Sequence, residues 1–266
     1  MEGSSEVTEK LEVRCCIAGG GPAGMMLGLL LARAGVAVVV LEKHGDFLRD
    51  FRGDTLHPST LEIMHELGML QDLLKRPHRK IRQLNAQMGD SEMILADFSR
   101  LSMQCPFIAL MPQWDFLDFL AERARRYPTF DLRMHAEVTQ LIEVNGRVAG
   151  LRAQTPGGPI EIGAELVIAA DGRNSVVRTY SGLRTDDLGA PIDVLWMRLS
   201  KNDSDPQLAL RFDRGKILAM LDRGDYRQCG FVISKGARTN SEKKGSNNCA
   251  RELWKLRLFS MIASAS

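Results

Sequence analysis

Apolar residues come in unbroken runs near the start of the chain, at helical spacing through its middle, and in alternation toward its end. Leu11–Ala18 predicts a short buried strand, and Met25–Ala34 predicts an apolar helix that Gly35 terminates. Val36–Leu41, mostly β-branched, predicts a second strand buried on both faces. Between the first strand and the helix lies Gly19-Gly20-Gly21-Pro22-Ala23-Gly24. Glu42 closes the second strand, about 20 residues further on. Strand, glycine loop, helix, strand and terminal acid in this order predict a βαβ unit.

Further along, Pro58-Ser59-Thr60-Leu61-Glu62 opens another helix, with Ser59 and Glu62 as a capping box, Gly68 as the stop, and Leu61, Met64 and Leu67 on one face. Residues 80–98 predict a hairpin turning at Gly89-Asp90, with Met93–Leu95 in its second arm. Residues 110–127 turn helical: Asp115 is the candidate N-cap, Phe116, Leu120 and Ala124 share a face, and Pro128 ends the run. A β-meander follows. His135–Val144 and Arg147–Gln154 are joined by Asn145-Gly146, a type I′ turn signal. Past a turn at Pro156–Pro159, Ile160–Ile162 leads into the apolar strand Glu165–Ala170, which runs straight into Asp171-Gly172. Val194–Ser200, Leu208–Phe212, Ile217–Leu221 and Gln228–Ser234, with turns at Asp213–Gly215 and Arg223–Asp225, predict an antiparallel sheet. Lys235–Cys249 is poor in large apolar residues, and Leu253–Ile262 predicts a lone helix.

The totals narrow the classes. A chain of 266 residues, 44% apolar, suggests one large or two small domains and can bury a sizeable core. A net charge of +2 gives no basis for nucleic-acid binding. The five cysteines are irregularly spaced and form no CxxC pair, which argues against a zinc site or a dithiol centre and for a reduced, cytoplasmic protein. His57 and His65 belong to no metal-ligand pattern, so no metal is expected. Met1–Lys10 is polar and unlike a signal peptide, and Arg33 and Gly35 break the one long apolar run, so no membrane span is expected.

The glycine loop carries the first chemistry. Gly19 permits the tight turn, Gly21 lets a pyrophosphate approach the backbone, and Gly24 lets the helix lie close to the strand. The helix N-terminus offers N–H groups and partial positive charge to phosphates. Glu42 can accept hydrogen bonds from an adenosine ribose. This motif alone does not separate FAD from NAD(P). The second signal is Glu165–Arg178, an apolar strand ending in Asp171-Gly172 and followed by Ser175 and Arg178. Paired with the glycine loop, it resembles the Asp-Gly fingerprint of class A flavoprotein monooxygenases, the para-hydroxybenzoate hydroxylase-like, FAD-dependent hydroxylases. Arg52-Gly53 after the acid-tipped strand, Gln113 at the start of the helix ending at Tyr127, and the meander agree with the same family, over residues 11–235.

The resemblance implies an α/β protein. Its Rossmann-like FAD-binding domain, a glutathione reductase-type βαβ unit with a β-meander, would comprise residues 1–79 and 111–185. A smaller antiparallel-sheet substrate domain would comprise 80–110 and 186–235, with an atypical tail at 236–266. FAD would lie along Gly19, Gly20, Gly21, Pro22, Ala23 and Gly24, with Glu42 and Lys43 at its adenosine end and Arg52 against phosphate charge. Gln113 would reach it from the helix start, Val138 would flank the adenine by its backbone, and Asp171 would sit near cofactor and NAD(P)H. NAD(P)H would be the reductant. O2 would supply an oxygen, passed through a peroxyflavin to an aromatic or polycyclic small molecule. The resemblance names no catalytic acid or base for this chain and admits a homo-oligomer.

The family's third motif, Gly-Asp followed by Ala-Ala-His, has no match: Gly224-Asp225 is followed by Tyr226-Arg227. The expectation is therefore a C-terminally truncated or divergent member. The second reading is an inactive or partner-dependent FAD- or nucleotide-binding fragment. A flavin halogenase needs Trp-x-Trp-x-Ile-Pro, whereas Trp114, Trp196 and Trp254 stand alone. A short-chain dehydrogenase needs Tyr-x-x-x-Lys, and Tyr127, Tyr180 and Tyr226 are followed at that spacing by Asp131, Arg184 and Gly230. A disulfide reductase needs a reactive cysteine pair. Strand alternation puts Val194 and Trp196 on one face of the later sheet and Leu195, Met197 and Leu199 on the other, with either face open as the substrate side.

Overall fold

A computed structural model describes residues 9–48, 54–89, 91–186, 188–200, 210–213, 216–224 and 226–236. In chain order the strands and helices are β1 (Glu9–Ala18), α1 (Pro22–Arg33), β2 (Val38–Leu41), β3 (Thr55–Leu56), α2 (Pro58–Glu66), α3 (Leu70–Leu73), β4 (Arg79–Ile81), β5 (Gln83–Met88), β6 (Ser91–Asp97), β7 (Ile108–Leu110), α4 (Gln113–Ala124), β8 (Phe130–Arg133), β9 (Glu137–Val144), β10 (Arg147–Thr155), β11 (Gly158–Ala169), α5 (Val176–Tyr180), β12 (Ile192–Ser200), β13 (Leu210–Asp213), β14 (Lys216–Asp222) and β15 (Tyr226–Ser234). They form two compact units, residues 1–50 with 112–186 and residues 51–111 with 187–266. Residues 51–79, assigned from sequence to the nucleotide-binding domain, fall in the second unit. There β3 pairs with β7, and β7 with β4.

The first unit is built on one six-stranded sheet in the order β8-β2-β1-β11-β10-β9. β1 runs parallel to β2 and β11, and β2 parallel to β8. Val38–Leu41 is buried at all four positions, as a β-branched run inside a parallel sheet should be. β2 begins at Val38 rather than Val36, because the chain leaves α1 slowly. The Val36 N–H still donates to the Leu31 carbonyl, and Gly35 takes a left-handed φ of +78° to end the helix. The helix itself starts earlier than its apolar run, at Pro22, a residue suited to a first helical position because it has no N–H to satisfy. α4 starts at Gln113 behind Pro112, so Asp115 lies within its first turn instead of capping it. An acid in the first turn still faces the positive end of the helix.

The meander folds as expected at Asn145-Gly146, where φ is +53° and +75°. Beyond it the two predicted segments fuse. Gly158–Ala169 is one continuous strand, antiparallel to β10 through Gly163 and parallel to β1 almost throughout. Cys16, Val39, Leu41, Val138, Leu151 and Ile162 belong to a buried cluster between the sheet's residues and α5.

The second unit carries a six-stranded sheet, β12-β15-β14-β13-β5-β6, and a three-stranded one, β3-β7-β4. The large sheet is not wholly antiparallel as predicted: β13 pairs with β5 in parallel, joining the early hairpin to the late strands. Leu195, Met197, Leu199 and Ile233 pack against buried Leu218, Met220, Cys229 and Phe231, so this is the packed face of β12. Val194 and Trp196 point the other way and are exposed. The capping box at Ser59 does not form. His57 occupies the cap position, and Glu62 instead accepts the Gln104 N–H at 3.1 Å. Buried Arg223 pairs with buried Asp54 at 2.6 Å and donates to Gln228 at 2.7 Å and 2.9 Å, tying β3's approach to the β14–β15 turn. Arg52, Gly53, Arg214, Gly215, Asp225 and residues 237–266 lie outside the described residues. No helix among the described residues is long and apolar enough to cross a membrane.

Candidate cofactor site

Within the first unit, the C-terminal ends of β1, β2 and β11 open onto a cleft of about 450 Å3, the place where parallel α/β sheets take ligands. Gly19, Gly21, Glu42, Lys43, Val138 and Asp171, six residues singled out from the sequence, line it together. Leu41, His44, Ala136, Glu137, Ala170, Gly172, Asn174 and Val176 complete it. Gly20, Pro22, Ala23 and Gly24 form the loop and first turn behind Gly21. Gln113 stands at the head of α4, outside the lining, and Arg52 is not among the described residues.

Each glycine has a distinct reason. Gly19 holds φ +101°, and a Cβ there would overlap the Ala170 carbonyl, so the loop passes hard against the end of β11. A Cβ on Gly20 would lie 2.8 Å from the Cβ of Glu42. A Cβ on Gly24 would overlap the Gly19 carbonyl oxygen and come 3.3 Å from Ile17, so its demand comes first from the loop and then from the strand. The residue that brings α1 down onto the sheet is Gly28, whose Cβ would meet Val40 at 2.7 Å and Phe130 at 2.9 Å. Sequence reasoning passed over Gly28. Its signal was a second glycine four residues after Gly24, on the same helix face. At Gly21, by contrast, a Cβ would meet nothing within 4 Å, and φ is an ordinary −71°. The fold itself makes no demand for a glycine there, which leaves open space at α1's N-terminus.

Two acids bracket the cleft. Glu42 is buried. Its Oε2 accepts the Gly20 N–H at 3.0 Å and its Oε1 the His44 N–H at 3.0 Å, which fixes the carboxylate at the tip of β2. Asp171 Oδ2 accepts from the N–H groups of Val176 at 2.8 Å and Val177 at 3.3 Å. Ser175 caps the same short helix through the Arg178 N–H at 2.9 Å. Asp171 Oδ1 is buried and accepts no hydrogen bond in the protein. A buried acceptor left unmatched is unfavourable by about 1–3 kcal/mol unless a ligand donor reaches it. No side chain caps α1, and its first turn holds no acid to compete with a phosphate.

The four described cysteines are free, buried thiols. Burial pushes Cys16 up to about 12, with the neighbouring Cys15 adding to the effect, and burial pushes Cys229 up to about 11. No group of three or more His, Cys, Asp or Glu among the described residues is placed to hold a metal ion.

A βαβ turn, an acid at the tip of β2 and an Asp-Gly corner on one cleft give the chain the form of a dinucleotide-binding protein. A family model described as FAD binding domain matches residues 12–257, and the chain belongs to that family, that of the class A flavoprotein monooxygenases. Over 230 residues it is 29% identical to the 6-methylpretetramide 4-monooxygenase of Streptomyces rimosus, covering 86% of this chain and 55% of the relative. Over 179 residues it is 30% identical to the para-nitrophenol 4-monooxygenase of a Pseudomonas species, covering 65% of this chain and 43% of the relative. The chain thus spans about half the length of the curated relatives it matches. Among solved structures, the p-nitrophenol 4-monooxygenase of Pseudomonas putida superposes with a TM-score of 0.75 at 22% identity, over 92% of this chain and 62% of that one. The myxobacterial chondrochloren halogenase superposes at 0.77 with 18% identity, over 91% and 57%. One fold therefore serves different reactions, and only the site can choose between them.

Proposed function

We propose that this chain holds FAD for an NAD(P)H-dependent monooxygenase acting on an aromatic or polycyclic small molecule. The observation that carries the reading is that Gly19, Gly21 and Asp171, the last far from the others in sequence, face one cleft together with Glu42. The observed groups fit the cofactor. Gly21 leaves open space at a helix N-terminus for the diphosphate, Glu42 presents a fixed carboxylate to the adenosine ribose, and the unmatched Oδ1 of Asp171 awaits a hydroxyl donor. In the same reading Lys43 and the Val138 backbone flank the adenosine, while Arg52 and Gln113 contribute from the segment after β2 and the head of α4. When bound, FAD would supply the redox chemistry, passing the two electrons of NAD(P)H to O2, of which one oxygen goes to the substrate and the other to water. The protein's residues bind and orient it: two main-chain N–H groups hold Glu42, and two more hold Asp171. Relatives named for resorcinol, rifampicin and nitrophenol oxygenation support the aromatic substrate class, and one is named as NADH-specific. Cytoplasmic placement rests on four described cysteines that are free and buried.

The test is direct. The purified chain should carry flavin absorbance through gel filtration when loaded with FAD, and should oxidise NADH or NADPH in air. FAD binding without NAD(P)H oxidation would favour the second reading, a cofactor-binding fragment. No retained flavin and no titratable FAD affinity would refute both.

A further inference from the structure

The strained backbone of the first unit lies beside the cleft, at a residue that does not line it. His135 connects β8 to β9 with φ +54°. Among the described residues only Asn145 shares a positive φ without being glycine, and Asn145 sits in a hairpin turn that requires it. His135 has no hairpin to serve. What its left-handed turn achieves is a seam. The Glu42 N–H donates to the Arg133 carbonyl at 2.8 Å, the His135 N–H to the His44 carbonyl at 3.0 Å, and the Ala136 N–H to the Glu42 carbonyl at 2.9 Å. The imidazole then lies over the next residue of the loop that follows β2. A Cβ on Gly45 would overlap Nε2 and Cε1 of the ring. Both sides of this seam face the cleft, Glu42, Lys43 and His44 on one and Ala136, Glu137 and Val138 on the other.

We propose that His135 and Gly45 form a latch that sets the width of the cleft where the adenosine moiety of the cofactor sits. His135 is a positioning residue. It acts through Glu42 and Val138, and the bare Cα of Gly45 is the seat of its ring. The inference rests on the reading of this cleft as the FAD site. It predicts that the seam recognises adenosine and is indifferent to the flavin. A methyl group on Gly45 lifts the ring and lets the 43–45 loop move away from Ala136–Val138. His135→Asn keeps a side chain that tolerates the left-handed turn but removes the ring.

The experiment is a double-mutant cycle on the full chain, titrated with FAD, with ADP and with FMN, which lacks the adenosine. Gly45→Ala should weaken FAD and ADP alike by about tenfold, leave FMN unchanged, and leave the urea midpoint of the ligand-free protein near that of the parent. His135→Asn should show the same pattern, and adding Gly45→Ala to it should weaken binding by less than about twofold more. The latch is overturned if Gly45→Ala binds FAD and ADP as the parent does, or if its effect is equal in both backgrounds. A parent protein that binds neither FAD nor ADP would overturn the cofactor reading and the latch with it, whereas normal parent binding with unaffected variants sinks the latch alone.

Discussion

A methyl group added to Gly21 and one added to Gly24 meet different things, although the two glycines belong to one motif. The first points into empty space over the cleft and the second into the Gly19 carbonyl. Gly24→Val should therefore destabilise the fold by about 2–3 kcal/mol through overpacking. Gly21→Val should shift stability by less than about 1 kcal/mol, the scale of an altered helix cap, yet weaken FAD by at least about tenfold. Urea denaturation and FAD titration of both variants check this, and equal stability losses would show that Gly21 is structural too. The motif made both residues legible, whereas spacing could not say which glycine serves the chain and which its ligand. Cys16 carries a pH prediction. Burial raises its thiol to about 12, above an unfolded value of about 8.5. Its contribution is complete below about pH 8.5 and is lost as pH rises toward about 12, at up to about 1.4 kcal/mol per pH unit within that window. The urea midpoint should fall more steeply between pH 8 and 10.5 in the parent than in Cys16→Ala.

Among the elements, the second unit's turn between β14 and β15 is secured by a buried charge. Burial pulls the Arg223 pKa down and the Asp54 carboxylate beside it opposes that shift, so the guanidinium depends on its partner. Removing the carboxylate in Asp54→Ala leaves a buried cation and should cost about 3–5 kcal/mol. Arg223→Met, which fills the same space without charge, should cost less when combined with Asp54→Ala than Asp54→Ala does alone, as read by thermal or urea unfolding. Nothing in the sequence announced this pair, since the two residues come from distant segments and neither lies in a periodic pattern. The same limit explains the parallel joining of β13 to β5, because alternation reveals a strand and not its neighbour. The βαβ unit and the Asn145-Gly146 hairpin were legible because their determinants are local: glycine at forced dihedrals and β-branched runs.

For the whole molecule, the two units hold separate buried clusters, and every residue lining the cleft belongs to the first. FAD at a hundredfold excess over its Kd stabilises what it binds by about 2.7 kcal/mol. Hydrogen exchange should therefore slow on FAD addition around residues 19–24, 42–44, 136–138 and 171–177, with smaller change in β12, β14 and β15. Uniform protection, or none in the first unit, would contradict the assignment of the cleft. That the chain holds a nucleotide-binding sheet and a later sheet of alternating strands was readable from its pattern, and the small β3-β7-β4 sheet was not. That residues 51–79 side with the second unit was not, because a helix's period does not record which sheet it packs on.

β11 is also a ruler. One unbroken ribbon zips the meander at Gly158 and delivers Asp171 just past its other end. Side chains on such a ribbon point alternately up and down, so deleting a single residue between the two would turn the carboxylate to the opposite side of the sheet. Natural length variation here should come in pairs, or not at all.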